Sequence, residues 1–262
     1  AATRERDKFH IKKHINQNIE LTDVTDDYVC LGIFGPKSRE LMKDISGEDF
    51  SNDNFRFGHS KNLKIENSDV WIQRLSYVGE VGYELYINNS EAKLIFNKII
   101  DIGKKFNLSL CGAHAMDTLR MESGFLHWGH DISPEENQIE AGLNFAISFK
   151  KNYDFIGKQA LLKIDKNEVK KKFIMLTLNN TKPGEPLALH FEPIYIDGKI
   201  CGNTTSANYS FNYGKNLLFG YVSTDLKVEQ LLEKKIQVEI EKVKYDASLL
   251  LKPLKDPKIK LN

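Results

Sequence analysis

Apolar and polar positions along this chain name most of its elements. Residues 29–34 are a short apolar run of β-formers, which Gly35-Pro36 then breaks. Leu41, Met42 and Ile45 recur behind it at helical spacing, so a helix follows. Pro36 is predicted at its first position, where a missing N–H would have no partner anyway. Residues 70–75 and 83–87 are two β-rich runs joined by a glycine-containing turn, the pattern of a hairpin. Ser90 is the predicted cap of a helix whose stripe is Ile95, Ile99, Ile102 and Phe106, and Lys104 and Lys105 suit the negative pole at its end. Another helix is expected over 113–123, stopped by Gly124, with Ala115, Met116 and Leu119 as apolar members.

The stretch 125–138 is polar, aromatic and broken by glycine, so it reads as a loop of functional length. Residues 143–149 read as a strand and 154–164 as a short helix. Short strands then dominate, at 173–178, 194–196, 200–204, 217–222 and 236–240, with Asp197-Gly198 as a hairpin turn signal. This spacing predicts a small β-barrel. The expected fold class is α+β, with a mixed α/β part over 1–165 and a C-terminal β-barrel domain over 166–262.

Composition narrows the function. The 262 residues carry 37 Lys+Arg against 36 Asp+Glu, a formal net charge of +1. That balance argues against a nucleic-acid partner, whose footprint is a basic excess, and gives no pull toward an anionic membrane. No stretch approaches the ~20 apolar residues of a transmembrane helix. The charged start of the chain lacks the apolar core of a signal peptide. Cys30, Cys111 and Cys201 are far apart and odd in number, so they are expected as buried free thiols in a reducing compartment, with the cytoplasm as the location. The Gly35-Pro36 turn lacks the further glycines and the Lys-Ser/Thr of a phosphate loop.

Candidate chemistry lies in three places. Alternation puts Tyr83 and Leu85 on one face of a strand and Glu84 and Tyr86 on the other. Glu84 then either faces solvent or is a buried acceptor whose two oxygens suit a ring rich in N–H donors. His127, His130 and Asp131 have the side chains of a metal site but lack a third ligand nearby, so no metal is expected. The plainer reading is an ordered loop in which Asp131 caps local amides. Lys170–Lys172 reads either as a solvated strand edge or as a contact for an acidic ligand tail.

Longer motifs carry a resemblance. GIFGPKSRELM, YVGEVGYELYI, MDTLRMESGFLHWGHDISP, IEAGLNFAISF and DFIGKQAL follow one another in order, and EPIYIDGKICGNTTSANYS with LLFGYV fits a C-terminal barrel. Together they resemble the aminomethyltransferase (T protein) family of the glycine cleavage system. LRMESGFLHWGHD looks closest to the folate-binding half of dimethylglycine and sarcosine dehydrogenases.

The resemblance implies a three-part cloverleaf around tetrahydrofolate, which traps a methylene unit from an amino group as 5,10-methylenetetrahydrofolate. Tyr77 matches the family's hairpin tyrosine and Glu84 its pterin-binding glutamate. Phe145 stands where the family has a ring-contacting tryptophan, Lys172 where an arginine faces the folate tail, and Met116 where another arginine belongs. Trp128 would line the site from its loop. The family's catalytic aspartate lies in an N-terminal portion preceding the point where this chain begins, so no residue here is assigned the chemical step. The expectation is a fragment, a cleaved piece or one portion of a split protein, with an uncovered apolar face. Its expected partners are that N-terminal portion or a flavin dehydrogenase domain, with a small-molecule amine or iminium as donor. The reading is a tetrahydrofolate-dependent one-carbon transfer module. The alternatives are a non-catalytic folate-binding protein, a folate-dependent demethylase, or a structural piece of a larger dehydrogenase.

Overall fold

The period of two in the hairpin region sorts side chains cleanly. Val70, Ile72, Tyr83, Leu85 and Ile87 are all fully buried, while Trp71, Glu84 and Tyr86 face the other way. These residues belong to a four-stranded sheet of β1 (Tyr28–Phe34), β2 (Ser60–Ile65), β3 (Ser68–Gln73) and β4 (Gly82–Asn88), in the order β1-β4-β3-β2. β3 pairs antiparallel with both β2 and β4, which sets Trp71 opposite Tyr86 and Gln73 opposite Glu84. The computed structural model describes residues 3–165 and 168–256, and the chain forms two compact units. One takes Ala1–Ile33, Lys37–Arg74 and Tyr83–Leu108, and the other takes Phe34–Pro36, Leu75–Gly82 and Ser109–Asn262.

In the smaller unit, α2 (Ser38–Ser46) buries Leu41, Met42 and Ile45, and α3 (Ala92–Gly103) buries Ile95 and Ile99, as their spacing predicts. Two helix starts differ from expectation. Gly35, at φ 124°, turns the chain first, so the cap of α2 is Lys37 and Pro36 lies outside the helix. The cap of α3 is Glu91; the Ser90 hydroxyl instead donates to Asn88 Oδ1 at 2.8 Å in the preceding turn. The first helix, α1 (Arg4–His14), was not legible because it buries no residue and has no apolar stripe. It is tied down by charge, with Arg4 bridging to Asp23 and Asp26.

In the larger unit, α4 (Ala113–Glu122) and α5 (Lys158–Leu162) accompany a closed barrel. The barrel comprises β5 (Lys171–Leu178), β6 (Pro193–Ile196), β7 (Lys199–Ser210), β8 (Lys215–Ser223), β9 (Ile236–Ile240) and β10 (Val243–Leu250), in the order β10-β5-β8-β7-β6-β9. Ile174, Leu176, Ile194, Leu218, Val222, Val238 and Ile240 fill it. β8 is a nearly continuous apolar run because both of its faces are covered. Leu218 and Val222 join the barrel core, while Leu217 and Phe219 pack with Met121 of α4. Gly202 of β7 is required by close approach, since a side chain there would run into the Tyr221 carbonyl of β8. The α+β class and the C-terminal barrel therefore hold.

Four expectations change. Residues 143–149 are not a strand. Gly142 sits in the left-handed region at φ 71°, the Leu143 N–H folds back to Gln138 O, and Asn144–Ala146 is a single 3-10 turn. α4 leaves Ala115 and Met116 exposed and Leu119 half-buried, and buries Arg120, Met121 and Glu122 instead. β10, whose residues show no clean alternation, was not read from the sequence, yet it closes the barrel between β5 and β9. The cysteines are not buried: Cys30 and Cys111 are exposed and Cys201 is intermediate.

Candidate functional site

On the smaller unit, the sheet face opposite the core is aromatic. The Trp71 and Tyr86 rings lie 4.6 Å apart across β3 and β4, as their register places them. The Tyr86 hydroxyl donates to Glu84 Oε2 at 2.8 Å. Burial and then that bond push the Tyr86 phenol well above its ordinary range. Partial desolvation by the surrounding rings, and then the Glu84 charge, push up the thiol of the otherwise exposed Cys30. Glu84 is half-buried, between the two sequence readings. A cavity of about 750 Å³ opens over this face, with Tyr28, Cys30, Trp71 and Tyr86 on the sheet side and Arg4 and Lys8 among the α1 residues.

Tyr77 belongs to the larger unit. Its hydroxyl donates to Leu126 O at 2.9 Å, and its ring stacks on Phe125, with 15° between planes and 6.2 Å between centroids. Burial raises its pKa, so it stays a neutral phenol. Leu126 opens the 126–131 loop, and a buried ion pair holds that loop. Arg120 Nη1 reaches Asp131 Oδ2 at 2.5 Å, with side-chain exposures of 1% and 0%. Arg120 also donates to Phe125 O at 3.0 Å, to Asp117 Oδ1 at 2.7 Å and to Ser206 Oγ at 2.8 Å. Asp131 caps the local backbone as expected, accepting the His127 N–H at 2.9 Å, and it also accepts the Thr205 hydroxyl at 2.5 Å. The His127 and His130 rings are 4.4 Å apart, and His190 follows His130 at 4.7 Å.

The other expected site residues are spread over the loop, α4, a 3-10 turn and β5. Trp128 is partly exposed, and its backbone bridges to Ile132. Phe145 is 86% exposed on its 3-10 turn. Met116 is exposed on the first half of α4. Lys172 is already engaged, its ammonium donating to Val169 O at 2.6 Å and Thr224 O at 2.7 Å. Burial lowers its pKa. Its neighbours are engaged too: Lys170 pairs with Asp225 at 3.1 Å and Lys171 with Glu136 at 2.6 Å. The lysine run is therefore a set of specific contacts and not a uniformly solvated edge. Sequence reading missed Arg120, Thr205 and Ser206. The available signal was a helix ending in Arg120-Met121-Glu122 just before Gly124, but the Ser206 partner lies 86 residues away.

Comparison with known proteins places the chain. The family model described as "GCVT N-terminal domain" matches residues 1–151, and "Glycine cleavage T-protein C-terminal barrel domain" matches 171–256. The chain is 35% identical over 237 residues to human dimethylglycine dehydrogenase, mitochondrial, covering 90% of this chain and 27% of that protein. It is 32% identical over 237 residues to an aminomethyltransferase of Thermotoga neapolitana, covering 89% of this chain and 62% of that one. The chain thus spans about a quarter of the first relative and less than two thirds of the second. In fold it is similar to the crystal structure of glycine cleavage system aminomethyltransferase T from Bartonella henselae, with a TM-score of 0.74 and 21% identity over 88% of this chain and 60% of that one. With the first model alone matching more than half of its residues, the chain belongs to the GCVT (glycine cleavage T-protein) family.

Proposed function

We propose that this chain is a tetrahydrofolate-binding module for one-carbon transfer from an N-methyl or aminomethyl donor. The observation that carries the proposal is the Glu84 carboxylate. It sits half-buried on an aromatic sheet face, with Oε2 taken by Tyr86, which lines a cavity of about 750 Å³, and with no hydrogen bond to Oε1 among the described residues. One oriented carboxylate oxygen and aromatic walls suit the N–H edge of a pterin. Tyr77, Trp128, Phe145 and Lys172, all of the larger unit, are the other proposed folate-binding residues, the remaining N–H of Lys172 being suited to an acidic tail. Tetrahydrofolate, when bound, supplies the nitrogens that accept the one-carbon unit. This chain's residues hold and orient it and exclude water.

The proposed donor is a small-molecule amine oxidised to an iminium by a flavin dehydrogenase domain, in keeping with the greater length of the dehydrogenase relative. The proposed organisation is a folate-binding part over 1–165 and a barrel over 166–262. The proposed compartment is the cytoplasm, where the exposed Cys30 and Cys111 would stay reduced. No helix among the described residues is long and apolar enough to cross a membrane. A second reading, folate binding without transfer, is favoured by Met116 at the position where the family resemblance expects an arginine.

Calorimetry with tetrahydrofolate tests the proposal. The chain should bind, and Glu84→Gln should weaken binding about tenfold to a hundredfold, the range for a hydrogen bond to a charged group. Absence of binding by the wild-type chain sinks both readings. Formation of methylenetetrahydrofolate from dimethylglycine or sarcosine by the protein carrying this module separates transfer from binding alone.

A further inference from the structure

We infer that Arg120 and Asp131 are positioning residues for Tyr77, acting through a single peptide group, and that they leave the Tyr77 oxygen an acceptor only. The inference rests on the proposed role of Tyr77 as a ligand contact.

The Leu126 carbonyl and the His127 N–H belong to one planar peptide unit. Its carbonyl accepts the Tyr77 hydroxyl at 2.9 Å, and its N–H donates to Asp131 Oδ2 at 2.9 Å. In a trans peptide these two groups point in opposite directions, so the tyrosine and the aspartate grip the same plane from opposite sides. The preceding peptide is held as well, because Phe125 O accepts from Arg120 Nη1 at 3.0 Å. That same Nη1 contacts Asp131 Oδ2 at 2.5 Å, so one closed ring of contacts spans residues 120, 125, 127 and 131. Strand β7 anchors the ring, through Thr205 on Asp131 and Ser206 on Arg120. A carboxylate accepting from a peptide N–H polarises that peptide and strengthens its carbonyl as an acceptor. The tyrosine hydroxyl is therefore both located and oriented.

The orientation has a chemical consequence. A tyrosine hydroxyl has one proton to donate, and here Leu126 takes it. What remains for a ligand is oxygen lone pairs, with the phenol kept neutral by burial. The site then selects a ligand group that brings its own N–H or O–H donor, and it disfavours a bare carbonyl or ring nitrogen at that point.

The test uses Asp131→Asn, Tyr77→Phe, their combination, and the milder Thr205→Val in case Asp131→Asn folds poorly. In ligand-free chain labelled with 13C-tyrosine, Tyr77→Phe assigns the Tyr77 signal among the 10 tyrosines. Asp131→Asn, and to a lesser degree Thr205→Val, should shift that signal. A Tyr77 signal unmoved by both variants overturns the inference. Calorimetry with tetrahydrofolate is the second arm. Asp131→Asn and Tyr77→Phe should each weaken binding about tenfold, and the double variant should be no worse than either single one. Additive losses overturn the inference. If the wild-type chain binds no tetrahydrofolate, the binding proposal falls, while the NMR arm still decides whether Asp131 positions Tyr77.

Discussion

Arg120 of α4 and Asp131 of the following loop form an ion pair with both side chains removed from water, 1% and 0% exposed, at 2.5 Å. Breaking such a pair from one side leaves an uncompensated buried charge. Asp131→Ala should therefore destabilise the chain by about 3–5 kcal/mol. Asp131→Asn, which keeps an oxygen for the Thr205 hydroxyl, should cost clearly less. Urea unfolding read by tryptophan fluorescence checks both. Equal losses would mean that the charge, which both variants remove, carries the effect and the bond from Thr205 contributes little.

Tyr86 and Glu84 predict a spectroscopic titration. Burial is the largest cause of the raised Tyr86 pKa, and the bond and charge of Glu84 come next. Removing the glutamate charge should lower the phenol's pKa, yet burial should keep it above the ordinary tyrosine value of about 10. Difference titration of phenolate absorbance, wild type and Glu84→Gln each against Tyr86→Phe, isolates this group. An unchanged Tyr86 in Glu84→Gln would contradict the bond.

His127 predicts a weakening in acid. Burial first, then His130 and Arg120, hold its pKa below the ordinary value, with Asp117 and Asp131 opposing. The unfolded chain takes up this proton near pH 6.5, and the folded chain takes it up lower. Between those values the unfolded state binds more protons, so stability falls as pH falls. The urea midpoint should drop as the pH falls below the ordinary histidine value of about 6.5, and His127→Gln should flatten that part of the curve. A His127→Gln curve as steep as wild type would assign the effect to other groups.

Where a residue's role depended on its neighbours along the chain, it could be read before the structure was known. The period of two placed Glu84 beside Tyr86 and opposite Leu85, and the helical stripes found the buried faces of α2 and α3. The apolar run at 143–149 misled because its composition suits a strand, while the Gly142 turn and the fold-back to Gln138 O bend it away from one. Arg120 was opaque for the opposite reason. Its helix shows no sign that it is buried, and its partners are Asp131 and Ser206, the latter 86 residues away in sequence. Cys30 followed composition statistics to the wrong side, because a strand with one buried face sends alternate residues outward whatever their type.

Lys172 is the last test, because its expected and observed contacts compete. Two of its three N–H groups are spent on the Val169 and Thr224 carbonyls, which tie the start of β5 to the end of β8. Lys172→Met strands both carbonyls in a partly buried place, so stability should fall by about 1–3 kcal/mol. The one remaining N–H gives an acidic ligand tail little more than a point charge, which salt screens. Tetrahydrofolate binding should accordingly weaken only a few-fold in Lys172→Met at low salt, and that difference should vanish at roughly 0.5 M salt. Urea unfolding and calorimetry at both salt concentrations measure the two effects. Full loss of binding with unchanged stability would mean instead that Lys172 leaves its carbonyl partners and anchors the tail directly.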